Sequence, residues 1–173
     1  MLTKVSQSKI KAGAESARFV IVASRYNPRF VNAMLKAAQD ELDEAGAGSV
    51  EVIRVPGAYE IPVVAARVAR VYQDQPCAII CLGVILRGAT LHARLIAEAV
   101  TAALVEVQVR REVPVIHEVL LLENTEQARE RCLDPDHNRG REAARTALEM
   151  VRVLRAWKGR ERRPEPVSED RAK

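Results

Sequence analysis

Short apolar runs alternate along the chain with segments whose apolar residues recur at helical spacing. The runs predict buried strands at residues 18–24, 50–55, 77–83 and 114–119. The periodic segments predict helices at residues 30–45, 60–72, 90–109, 125–131 and 140–157. The third run is apolar on both faces, as expected for a central strand of a covered parallel sheet. The pattern therefore predicts one α/β domain, a three-layer sandwich in which helices cover both faces of a four-stranded parallel sheet.

The two ends of the chain differ from this body. Residues 1–17 are polar and small, which predicts a flexible N-terminal arm or an edge strand completed by a partner. Residues 158–173 are charged and contain two prolines, which predicts a disordered tail. The domain is expected to span residues 18–157. The net charge of +4 is concentrated near the tail, so it is weak evidence for nucleic-acid binding.

Composition narrows the class of protein. A chain of 173 residues fits one domain, and with only 3% aromatic residues its core must be built from Ala, Val, Ile and Leu. No run approaches the ~20 apolar residues that cross a bilayer, and the N-terminus has no apolar signal segment. Cys77, Cys81 and Cys132 show no zinc-ligand spacing. We expect reduced thiols, no metal and a cytoplasmic location.

Ligands of parallel α/β sheets bind beyond the carboxyl ends of the strands, which selects the loops at residues 24–29, 56–60, 83–92 and 119–131. In the first loop, Tyr26 either stacks on a flat heterocycle or only packs at the rim. In the second, Gly57 lets backbone approach a ligand. Glu60 either binds that ligand or caps the following helix.

The third loop carries the strongest chemical signal. The N–H groups of Ala89 and Thr90 are predicted to open a helix, and such ends bind anions like phosphate. His92 lies in the predicted first turn, where an imidazole suits proton transfer near neutrality; the alternative is a structural histidine. In the fourth loop, Arg131 either clamps a phosphate or is a solvated helix charge.

Four segments, in order and at fitting spacing, resemble the lumazine synthase family over residues 18–157. They are Ser24-Arg25-Tyr26-Asn27, Val55 through Pro62, Leu82-Gly83 through Arg87-Gly88-Ala89-Thr90-Leu91-His92, and Glu126-Gln127-Ala128 with Arg131. Asn138-Arg139-Gly140 with Glu142-Ala143-Ala144 continues the similarity. The resemblance implies a flavodoxin-like fold and a transferase of riboflavin biosynthesis. This transferase would condense 5-amino-6-(D-ribitylamino)uracil with 3,4-dihydroxy-2-butanone 4-phosphate into 6,7-dimethyl-8-ribityllumazine, without metal or organic cofactor.

The resemblance also implies a role for each matching position. His92 would be the catalytic proton shuttle. The implied substrate-binding residues are Tyr26, Ala58, Tyr59, Glu60, Val84, Ile85, Leu86, Ala89, Thr90, His117 and Arg131. Family sites form between neighbouring subunits of a pentamer, so Arg131 would serve the adjacent chain. Pentamers in the family also pair or build sixty-subunit shells, and neither nucleic acid nor membrane is an expected partner.

Several positions depart from the family pattern. Ala93 and Arg94 replace an aromatic residue and an acid, and His117 and Glu118 replace a phenylalanine and a glycine. Leu121 also replaces a small hydroxyl residue. These changes leave three alternatives to an active enzyme open: a non-catalytic lumazine- or flavin-binding or shell-forming homologue, the related archaeal-type riboflavin synthase, and a weaker nucleic-acid role for the basic tail.

Overall fold

The computed structural model describes residues 14–158, and it confirms the predicted parallel α/β sandwich. The strands are β1 (Arg18–Ser24), β2 (Ser49–Val55), β3 (Cys77–Leu86) and β4 (Val115–Leu122), and they form one parallel sheet in the order β2-β1-β3-β4. The helices are α1 (Pro28–Glu44), α2 (Ile61–Tyr72), α3 (His92–Arg111), α4 (Thr125–Cys132) and α5 (Arg139–Trp157). Two short 3₁₀ turns lie at Ala14–Ser16 and Ala58–Glu60.

Each face of the sheet packs its own half of the core, because successive strand residues point to opposite faces. On β1, Phe19 and Ile21 face the layer of α1, α4 and α5, whereas Val20 and Val22 face the layer of α2 and α3. All four side chains are fully buried. The same alternation continues along β3, so the two central strands carry core on both sides, as its sequence predicts.

The boundaries around the third and fourth strands were predicted incorrectly. β3 and β4 each continue three residues beyond the prediction, and their pairing runs to Leu86 opposite Leu122. Both apolar runs continue, and the added backbone pairing satisfies their N–H and C=O groups. The residues Val84, Ile85 and Leu86, predicted in a loop, therefore belong to the end of a strand.

The first and last helices pack closely on one face. A Cβ at Gly140 would lie 1.9 Å from the Met34 backbone oxygen, so α5 approaches the backbone of α1 where only glycine fits. Arg145 of α5 donates from Nε and Nη2 to the two Glu41 carboxylate oxygens of α1, at 2.8 and 3.0 Å. This two-bond ion pair joins positions 104 residues apart in the chain.

Part of the predicted N-terminal arm packs on the domain. Ala14 and Ala17 are buried, and the Ala14 carbonyl accepts a hydrogen bond from the Gly48 N–H at 3.3 Å. The other residues of the predicted arm and tail, 1–13 and 159–173, lie outside the described residues. Within residues 14–158, no helix is both long and apolar enough to span a membrane.

Candidate active site

The carboxyl ends of β1, β2 and β3 surround a cavity of about 830 Å³, whose remaining wall is the start of α3. Its size suits a small organic ligand. The structure brings eight of the predicted site residues together here: Tyr26, Ala58, Tyr59, Glu60, Val84, Ile85, Leu86 and His92. Ala93, one of the unusual positions, also lines it.

Tyr26 projects at the rim of this cavity, with 73% of the residue exposed. The next residue, Asn27, has the left-handed φ of 51°, and its side-chain N–H donates to the Val84 carbonyl at 2.8 Å. This bond ties the loop after β1 to the end of β3. A Cβ at Gly57 would lie 3.6 Å from the Tyr26 ring, so the ring lies against the backbone of the second loop. The exposed ring face is available to a planar ligand.

Glu60 has a structural contact within the cavity wall. Its Oε2 accepts a hydrogen bond from the Gly57 N–H at 2.9 Å, which closes the turn before α2. This contact is the capping role considered for Glu60, and it fixes the carboxylate where it lines the cavity. The bond involves only one carboxylate oxygen.

The predicted start of α3 was two residues too early. The helix begins at His92, and Ala89 and Thr90 lie in the bend before it. The Thr90 hydroxyl accepts from the His92 N–H at 3.4 Å, a side-chain contact that replaces the predicted helical turn. Ala89 and Thr90 line a second cavity of about 350 Å³, beside the large one, whereas His92 lines the large one.

Two ion pairs border the second cavity. Arg87 donates from Nη1 to both Glu123 carboxylate oxygens, at 2.9 and 2.8 Å, and links the end of β3 to the loop after β4. Arg94 donates from Nε to Glu98 at 2.6 Å on the first turns of α3. The Arg94 charge near His92 is therefore paired within its own helix.

His117 does not line the large cavity of its own chain. It lies on β4 toward α3, where its Nε2 is 2.9 Å from the Thr101 hydroxyl. Because that hydroxyl donates to the Ala97 carbonyl, it accepts from His117 Nε2–H. Nδ1 accepts from the Val119 N–H at 3.3 Å. Burial lowers the pKa of His117, so the ring is held as a neutral Nε2–H imidazole.

Arg131 also lies away from the large cavity, at the end of α4 on the other face of the sheet. The buried carboxylate of Glu118 lies near it, and Arg139 donates from Nε to Glu118 Oε2 at 3.1 Å. Burial raises the pKa of Glu118 to about 7, against the opposing effect of Arg139. Sequence reasoning noted Glu118 only as unusual; an acid inside the apolar run PVIHEVLLL was the signal for this cluster.

Within residues 14–158, no group of three or more His, Cys, Asp and Glu side chains is arranged to hold a metal ion. All three cysteines are buried, free thiols. Burial raises the pKa of Cys77 and Cys132 to about 11, which keeps both thiols protonated near neutral pH.

Comparison with known proteins gives one consistent family. A family model described as 6,7-dimethyl-8-ribityllumazine synthase matches residues 16–155. A protein of Xanthomonas campestris pv. campestris (strain B100), named 6,7-dimethyl-8-ribityllumazine synthase, is 42% identical over 141 residues, which are 80% of this chain and 90% of the relative. A protein of Stenotrophomonas maltophilia (strain K279a) with the same name is 42% identical over 142 residues, 81% of this chain and 90% of the relative.

Proposed function

Since this chain belongs to the 6,7-dimethyl-8-ribityllumazine synthase family, we propose that its large cavity is the site of that synthesis. The protein is a transferase that condenses 5-amino-6-(D-ribitylamino)uracil with 3,4-dihydroxy-2-butanone 4-phosphate. The product is 6,7-dimethyl-8-ribityllumazine, which is formed in the penultimate step of riboflavin biosynthesis. The observation that carries the placement is that Tyr26, Glu60 and His92, from three separate loops, line one cavity.

The reaction needs proton transfers rather than redox chemistry. The uracil amine adds to the ketone and loses water to form an imine, inorganic phosphate is then eliminated, and a second amine closes the ring with loss of water. His92 stands at the cavity wall, where its imidazole can carry protons during imine formation and elimination. No cofactor takes part in these steps.

The cavity offers a separate surface for each part of the first substrate. The exposed Tyr26 ring stacks on the pyrimidine, and backbone groups of Val84, Ile85 and Leu86 line its edge. The stretch from Ala58 to Glu60, which includes Tyr59, binds the ribityl hydroxyls. The Glu60 contact with Gly57 supports this assignment, because it holds the carboxylate in a fixed position.

The phosphate of the second substrate is assigned to the bend before α3. Ala89 and Thr90 present backbone N–H groups there, in the small cavity next to the one that His92 lines. Arg131 of a neighbouring subunit completes the phosphate site, and His117 of that subunit closes the pyrimidine site. Two facts support this division: neither residue lines the cavity of its own chain, and both lie on or after β4.

Self-association is supported by the surface of α3. This helix buries only Val100 and Leu104 within the chain. Large apolar side chains remain exposed at Leu91, Leu95, Val105 and Val109. An exposed apolar surface of this kind favours an interface. We assign the protein to a homo-oligomer built from pentamers in the cytoplasm, consistent with its buried free thiols.

The direct test is turnover with both substrates. Purified protein is mixed with the aminouracil and the butanone phosphate, and lumazine absorbance is followed against the spontaneous reaction. Formation above that background is expected, and a rate equal to the background refutes the proposal. Light scattering of the same sample gives the assembly size, and a monomer refutes the shared-site arrangement.

A further inference from the structure

Glu118 is a buried acid in the middle of an apolar strand. Only 10% of its side chain is exposed, and it faces the layer that contains α4 and α5. A carboxylate in such a position requires partners, because burying an unpaired charge is costly. Its hydrogen-bonded partner is Arg139, the first residue of α5, whose Nε donates to Glu118 Oε2 at 3.1 Å. Arg139 Nη1 also contacts Glu142, so the guanidinium is held from two sides.

The charges around Glu118 come from the two helices packed against it. Arg139 and Glu142 face it from α5, and Arg131 and the Cys132 thiol face it from α4. With Glu118 protonated, two guanidinium charges oppose the single carboxylate of Glu142. With Glu118 ionised, the same cluster is neutral. Since its pKa is raised to about 7, Glu118 changes between these two states near physiological pH.

We propose that Glu118 is a positioning residue of the phosphate site, which fixes Arg139 beside Arg131 and, through its own charge state, sets how tightly the two arginines bind the substrate phosphate. The inference rests on the proposed function, in which Arg131 contacts that phosphate. A bound dianion favours the protonated carboxyl, and by reciprocity the protonated carboxyl favours the dianion. Anion affinity therefore falls as the pH rises through about 7.

Sulfate is a suitable probe, because its charge stays constant between pH 6 and 8 while phosphate titrates. Calorimetry on the full chain compares wild type with Glu118→Gln, whose amide oxygen still accepts from Arg139. If a bound dianion raises the pKa of Glu118 by about one unit, the affinity ratio of E118Q to wild type grows on the order of tenfold from pH 6 to pH 8. The His92 imidazole is present in both proteins, so its titration cancels in this ratio.

Two further variants separate charge from position. Glu51→Gln removes the same charge from an exposed position on the edge strand β2, and it should follow wild type at every pH. Glu118→Met removes both the charge and the acceptor, and an apolar side chain suits a buried strand position. It should lose the pH dependence as E118Q does, and also bind sulfate severalfold more weakly at pH 6, since Arg139 is no longer fixed.

The outcomes distinguish this inference from the function on which it rests. Parallel pH curves for E118Q and wild type, or the same flattening in E51Q, overturn the role of Glu118 even when the protein turns over both substrates. Equal sulfate affinity of E118M and E118Q at pH 6 overturns its positioning role. A pH-dependent affinity ratio in a protein without turnover supports the anion site and overturns the proposed synthesis.

Discussion

Asn27 joins the loop that carries Tyr26 to the end of β3, and its replacement by alanine tests how that wall of the cavity is held. Two effects add in Asn27→Ala. The side chain donates to the buried Val84 residue's carbonyl at 2.8 Å, and this bond contributes about 1 kcal/mol. The backbone is left-handed, with φ 51° and ψ 52°, a conformation that costs alanine about 1–2 kcal/mol and that asparagine tolerates.

The expected loss for Asn27→Ala is therefore about 2–3 kcal/mol of unfolding free energy. Asn27→Gly removes the same hydrogen bond without the left-handed strain, although glycine costs roughly 0.5–1 kcal/mol through the unfolded chain. We expect the glycine variant to be less destabilised than the alanine variant. Because Tyr26 precedes this position, both variants should also raise KM for the aminouracil.

Urea unfolding at one fixed protein concentration measures these differences, since the stability of an oligomer depends on its concentration. Wild type serves as the reference, and equal m-values establish that the midpoints can be compared. An Asn27→Ala variant within about 0.5 kcal/mol of wild type contradicts the assignment. A glycine variant as unstable as the alanine variant contradicts the backbone part of the reasoning.

Three other changes give separate expectations. His92→Ala should lower kcat by roughly ten- to a hundredfold through loss of proton transfer, and His137→Ala, which alters an exposed histidine paired with an aspartate, should leave kcat unchanged; equal rates for the two variants exclude His92 from the mechanism. Gly140→Ala should destabilise the fold by about 2–3 kcal/mol in urea, because the added Cβ would lie 1.9 Å from the Met34 oxygen, and a neutral effect would contradict that close approach. The pKa of Glu118 is raised on folding from about 4.5 to about 7, so the native state binds more protons between these values and wild type should lose stability relative to E118Q as the pH rises through that window, then stay level above it; pH-dependent urea midpoints that move together would refute this linkage.

Most of the fold was predictable because the strands and helices have different apolar periods. The run CAIICLG at residues 77–83 could only be a strand covered on both faces, and the structure places it in the centre of the sheet. The ends of β3 and β4 were not predictable, because a lone run such as VIL or LLL fits a loop or a strand. Each became a strand through pairing with the other, which is a contact between distant segments.

The candidate site was predictable in part for the same reason. Tyr26, Glu60 and His92 each follow a strand end, and parallel strands bring such ends to one edge. The lateral position of His117 and Arg131 follows from which face of β4, or which helix end, each occupies. The pairing of Glu118 with Arg139 depends on where α5 begins relative to β4, which periodicity does not encode.

The close pairing of α1 with α5 has a consequence for synthesis of the chain on the ribosome. The face of the sheet under α2 and α3 has all its strands and helices once residues up to about 122 have emerged. The opposite face, with Phe19, Ile21 and Met34, stays without its cover until α5 (Arg139–Trp157) leaves the exit tunnel. A nascent chain therefore presents one finished and one open hydrophobic surface, and a ribosome stalled before residue 139 would expose a target for chaperones.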